Sequence, residues 1–180
     1  PPPRKVADPD NLRKGAVRVG VRRGVPVPNG RVLSRGTWIR LPDGRHAWAL
    51  ELESPGAAGL RLHIEDAALP SGSRVAVYDT DTGALLAGPY EPGDAERWTE
   101  TVFTSSLRLV CTVPASADRE DVSFRVAELA HLYADPVASA TGKEAPCHND
   151  VACYPDWSNE ADAVAGLLFL SGGDVFWCSG

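Results

Sequence analysis

Residues 106–126 read SLRLVCTVPASADREDVSFRV. Leu107, Leu109, Cys111 and Val113 recur at every second position, and after a polar break Val122, Phe124 and Val126 do the same. Successive side chains of a strand point to opposite faces, so this alternation describes two ribbons that each bury one face. A helix would return its apolar residues every three or four positions. The stretch therefore predicts two half-buried strands.

The same alternation recurs upstream. His46, Trp48, Leu50 and Leu52 share one face of the run His46–Glu53, with Ala47, Ala49, Glu51 and Glu53 on the other. Leu60, Leu62 and Ile64 alternate with Arg61, His63 and Glu65, and Val75 and Val77 with Arg74 and Ala76. Residues 16–22 alternate too, and residues 37–41 form another short run. Turn chemistry stands between the runs: Asn29-Gly30, Thr82-Gly83, and Pro42-Asp43-Gly44-Arg45, in which proline presets φ and glycine accepts a positive one. Strands spaced by about 10–15 residues predict an all-β chain with an antiparallel β-sandwich or jelly-roll-like domain over residues 16–134. No sustained helical period precedes Asp135.

Composition agrees. Fifteen prolines and seventeen glycines, scattered without a period, suit short strands and turns better than long helices. The longest apolar run, Ala163–Leu170, is far short of the roughly 18 residues of a membrane span, so none is expected. Pro1-Pro2-Pro3-Arg4-Lys5 is not followed by the apolar core of a signal peptide. Residues 1–15 read as an extended or disordered leader and residues 135–146 (DPVASATGKEAP) as a linker. The net charge is −6, although the first 35 residues are basic. No aromatic residue is interleaved there as a stacking platform, so no nucleic-acid partner is expected.

Chemistry-bearing residues are sparse. His46, His63, His131 and His148 are dispersed, and no Gly-x-Ser-x-Gly elbow or phosphate loop is present. His46 alternates into an apolar face and His63 onto a polar one, which suits structural roles. Asp79-Thr80-Asp81-Thr82-Gly83 lacks the terminal glutamate of a calcium loop and reads as a hairpin turn. Five residues separate Cys147 from Cys153, wider than a zinc clip, so no metal site is expected. Cys111, at an inward strand position, reads as a buried free thiol.

The last 34 residues hold three of the four cysteines. Cys147-His148-Asn149-Asp150-Val151-Ala152-Cys153, Trp157, Ala163-Val164-Ala165-Gly166 and Cys178-Ser179-Gly180 resemble the opening of the mature domain in bacterial lysyl endopeptidase-type, trypsin-like serine proteases. The front of the chain is similar to the β-rich region preceding that domain, at residues 54–63, Leu69-Pro70-Ser71-Gly72, Gly88-Pro89-Tyr90 and His131-Leu132-Tyr133. The resemblance implies that residues 147–180 are an incomplete first part of a chymotrypsin-like β-barrel. It implies that Cys147, Cys153 and Cys178 each bond to a cysteine beyond Gly180. The catalytic triad would also lie beyond Gly180, Ser179 would not be the nucleophile, and this chain would carry no catalytic residue and no cofactor. The expected partners are the remainder of its own protease domain and, for the parent enzyme, a protein or peptide substrate, in a secreted or periplasmic location. The apolar strand of residues 147–180 is expected either to be poorly ordered or to dock on the front domain.

Two other classes compete. A secreted β-sandwich binding module for a carbohydrate or a surface partner would use aromatics such as Trp38, Tyr78, Tyr90 and Trp98. A structural domain of an envelope protein is the third.

Overall fold

The computed structural model describes residues 16–26, 33, 35–136, 156 and 166–179. Its strands are β1 (Val17–Gly24), β2 (Thr37–Arg40), β3 (His46–Glu53), β4 (Gly59–Ala68), β5 (Arg74–Tyr78), β6 (Leu85–Tyr90), β7 (Arg97–Trp98), β8 (Ser106–Val113), β9 (Ser123–Leu132), β10 (Gly166–Ser171) and β11 (Asp174–Ser179). A 3-10 turn at Arg119–Asp121 links β8 to β9. One sheet has the order β10-β11-β1-β9-β4-β7 and the other β2-β3-β8-β5-β6. All paired strands run antiparallel. The chain is all-β, as the alternation requires.

The two sheets face each other across the main core. Trp48, Val75, Val77, Leu107, Leu109, Cys111 and Val113 come from one sheet, and Leu60, Leu62, Ile64, Phe124 and Val126 from the other. Trp48 meets Phe124 edge to face, with ring centroids 5.3 Å apart, and its indole N–H donates to the Leu33 carbonyl at 3.1 Å. A buried indole thus keeps both its packing and its polar partner. Cys111 is a free thiol with no exposed surface, and burial pushes its pKa up to about 12.

The predicted turns are built as their residues dictate. Gly44 takes φ +87° and closes the β2–β3 hairpin. In the β5–β6 turn, one Asp79 carboxylate oxygen accepts from the Asp81 N–H, the Thr82 N–H and the Thr82 hydroxyl, so its lone pairs go to the turn itself. The Asn29-Gly30 turn lies outside the described residues.

One irregularity changes the layout. His63 of β4 lies opposite Glu128 of β9, but the next residue, Ile64, lies opposite Val126. Ala127 is therefore an extra residue in β9, a β-bulge that reverses which face each later side chain takes. Before it, Phe124 and Val126 point into the main core; after it, Leu129 does, while Ala130 and Leu132 join a second cluster with Val19 and Val175. His63 shares that outer face yet is only 6% exposed, so its polar stripe is not a solvated one.

Leu109 has no exposed surface at the centre of the main core, and Leu85 lies half exposed on β6. We expect Leu109→Ala to destabilise the fold by about 2–5 kcal/mol and Leu85→Ala to stay within roughly 0.5 kcal/mol of the parent, read by urea denaturation.

Candidate functional site at the β1–β11 seam

The terminal hairpin joins the rest of the molecule through one strand. β1 pairs with β9 on one edge, from Gly20↔Leu132 to Gly24↔Glu128, and with β11 on the other, from Val17↔Trp177 to Val21↔Asp174. The apolar strand β10 lies outermost, paired only to β11. In the described part of residues 147–180, the hairpin of residues 166–179 docks on β1 through β11.

Close approach dictates the residues at the seam. A Cβ on Gly20 would stand 2.6 Å from the His131 carbonyl oxygen and 3.1 Å from the Val175 Cβ, so only glycine lets β9, β1 and β11 meet there. Gly166 is likewise covered by the Trp177 ring. Under the seam lie Val19, Ala130, Leu132 and Val175, flanked by Leu168, Leu170 and Trp177. Polar bonds clip its ends: the Arg22 N–H donates to the Gly173 carbonyl at 2.8 Å, and the Tyr133 hydroxyl donates to the Arg18 carbonyl at 3.0 Å. Arg18 pairs with Asp174 at 2.6 Å, a half-exposed ion pair worth no more than about 1 kcal/mol. Apolar burial and main-chain pairing hold the seam; charge decorates it.

Behind the seam runs a polar chain that the sequence did not reveal. Ser54 Oγ lies 2.8 Å from His131 Nδ1, and Arg23 Nη1 donates to Ser54 Oγ at 3.3 Å. Ser54 and His131 are 4% and 2% exposed. The donor order that satisfies all three runs from guanidinium to hydroxyl to imidazole, with His131 neutral. Burial first, and the Arg23 charge second, hold the His131 pKa below its ordinary value. A serine–histidine pair that cuts peptides needs a carboxylate to stabilise the imidazolium. Here a cation opposes it, and the pair is structural. The two residues stand 77 positions apart, in two of the stretches that carry the family resemblance.

The remaining candidates divide plainly. Cys147 and Cys153 lie outside the described residues. Cys178, on β11 opposite Leu167, is a half-buried free thiol. Trp38, Tyr78, Tyr90 and Trp98 sit on four different strands, with β2 and β6 at opposite edges of one sheet and β7 at an edge of the other. Tyr90 is buried under Arg97, and Trp98 stacks on His63. They form no common platform. A cleft of about 270 Å³ between Ile64, Val75, Tyr90 and Arg97 is smaller than the usual ligand pocket of roughly 300–1,000 Å³, whereas an open hollow of about 420 Å³ beside His46, Asp118 and Arg119 falls within that range. Among the described residues, no helix is long and apolar enough to cross a membrane.

This two-sheet domain with its family-matching corners is the N-terminal domain of lysyl endopeptidase-type proteins: residues 3–133 match the lysyl endopeptidase N-terminal domain, and the chain belongs to that family. Over its whole length the chain is similar to the lysyl endopeptidase of Pseudomonas aeruginosa, at 25% identity across 208 aligned positions. It spans 43% of that relative's length. No solved structure matches it.

Two measurements probe the seam. His131 binds its proton less tightly folded than unfolded, so its contribution is present above its ordinary value of 6.5 and is lost as pH falls below it. Stability should therefore decline on acidification from pH 7 to 5.5, by up to about 1.4 kcal/mol per pH unit from this group, and the His131→Gln variant should show a flatter profile. In mass-spectrometric alkylation at pH 8, Cys178 should react well before Cys111, because the thiolate is the nucleophile and Cys111 is both buried and kept protonated.

Proposed function

We propose that this chain is the front part of a secreted or periplasmic serine endopeptidase precursor. Residues 16–134 serve as its propeptide or accessory module, residues 135–146 as a linker, and residues 147–180 as the opening of the protease domain. The observation that carries this reading is the alignment of the whole chain with less than half of a lysyl endopeptidase, together with the N-terminal domain match that stops at residue 133. On this reading the triad histidine, aspartate and serine lie beyond Gly180, and the chain alone cleaves nothing. Cys147, Cys153 and Cys178 take partners from the same remainder, and the parent enzyme acts on a protein or peptide.

The seam supports a role for the front domain in folding or blocking the protease. β1 offers β11 a main-chain edge, the mode by which a sheet captures an extended segment. A front domain that holds an early protease strand templates its register, and the same grip restrains the segment afterwards. The competing binding-module reading has weaker support, since its four aromatics do not converge.

The test is to read the coding sequence past Gly180 and express the continuous protein with and without residues 16–134. A histidine–cysteine pair within about 15–30 residues and a later Gly-Asp-Ser-Gly are expected, with active enzyme recovered only when the front domain is present in cis or in trans. A stop codon directly after Gly180 would sink the reading. Full activity of the protein made without residues 16–134 would remove the folding role.

A further inference from the structure

Away from the seam, the outer face of the six-stranded sheet carries a cluster that the proposed function does not employ. His63 stands in the middle of β4, its side chain 8% exposed. The Trp98 ring, on its register partner in β7, stacks against the imidazole at 4.5 Å and 5°. Three carboxylates stand near the two imidazole nitrogens. Glu96 Oε1 is 2.8 Å from Nε2; Glu65 Oε1 and Glu128 Oε2 are 3.2 Å and 3.6 Å from Nδ1. Yet Nδ1 is buried without a hydrogen bond: Glu128 Oε2 is too far for one, and Glu65 Oε1, within distance, is not aligned for one.

That combination is awkward for a neutral imidazole. It carries one N–H, and with Nε2 donating to Glu96 its Nδ1 lone pair faces two carboxylate oxygens in a site with little water. Neighbouring arginines only partly relieve this: Arg125 pairs with Glu65 and Arg22 with Glu128, which leaves Glu96 with the imidazole. A cation on the lone pair removes the conflict, and the misaligned Glu65 oxygen then becomes an asset. In a tetrahedral zinc site with bonds of about 2.0–2.1 Å, the nitrogen and oxygen ligands stand roughly 3.3–3.4 Å apart. The Nδ1 to Glu65 separation of 3.2 Å is close to that. The ligand atoms of His63, Glu65 and Glu96 all lie within 4.8 Å of one another.

We propose that His63, Glu65 and Glu96 bind a divalent transition-metal ion of the zinc class. An imidazole with two carboxylates suits zinc, cobalt or nickel, whereas magnesium and calcium prefer oxygen alone. Glu96, 70% exposed and one residue before β7, is the arm that gives up its contact with Nε2 to reach an ion on Nδ1; Glu65, held by Arg125, and His63, clamped by Trp98, are the fixed members. The ion would tie the two-residue edge strand β7 to β4 and so fasten an otherwise thin margin of the sheet.

Zinc ion alone, titrated calorimetrically into the full chain after its accessible thiols are alkylated, tests the site. One saturable zinc equivalent is expected, with no comparable uptake of magnesium. Affinity should fall by roughly tenfold or more in both His63→Gln and Glu96→Gln. Glu96 is exposed, so its variant keeps the fold and separates lost ligation from lost structure, with circular dichroism as the control. Absence of saturable zinc uptake overturns the proposal. So does zinc affinity unchanged in Glu96→Gln.

Discussion

The placement of one residue, Ala127, governs most of what this molecule can do. A strand has a period of two, so a single inserted residue exchanges its faces. Without the bulge, β9 would turn one continuous stripe toward the main core along its whole length. With it, Phe124 and Val126 serve the space between the sheets, while Ala130 and Leu132 serve the outer face. That second apolar surface is where the β10–β11 hairpin gains its burial. The same step sets Glu128 beside His63 and so creates the crowded acidic surround of the imidazole.

The sheet's opposite margins differ in how they are secured. At the seam, glycine allows three strands to crowd together, and a small apolar cluster lies beneath them. At the other margin, β7 contributes only two residues, Arg97 and Trp98, and its hold on β4 is reinforced through side chains: ring stacking on His63 and the Arg61 guanidinium over Trp98. Edges of sheets present unpaired main-chain groups and need such management. β1 is no such edge, because β11 covers it. The strands of residues 17–132 and the terminal hairpin thus share one hydrogen-bonded sheet.

Buried polarity at the seam is partnered, whereas His63 Nδ1 and the Ser73 hydroxyl are buried without a hydrogen bond. The Arg23–Ser54–His131 chain lies behind the seam and links β1, the loop after β3 and the end of β9. Its members come from remote parts of the sequence, and burial first, with the Arg23 charge second, disfavours the protonated imidazole. Its chemistry is that of a fastening, opposite in charge logic to a hydrolytic pair. His63 is the contrasting case, an imidazole among anions.

The strands were legible in the sequence because period-two alternation at Leu107–Val113, Val122–Val126 and Leu60–Ile64 is a local consequence of burying one face. The turns at Gly44 and Asp79 were legible because φ preference and side-chain capping act over three or four residues. Family membership was legible in short ordered stretches at both ends. The docking of residues 166–179 on β1, the 77-residue reach between Ser54 and His131, and the meeting of Glu65, Glu96 and Glu128 around His63 were not. Each depends on register between distant strands, and bulges such as Ala127 in β9 and Val19 in β1 shift that register with no local pattern to mark them. By itself the sequence determined an antiparallel all-β chain and its family. Tertiary structure alone decided which strand covers β1 and which carboxylates surround His63, because side chains meet across strands only once pairing has fixed their faces.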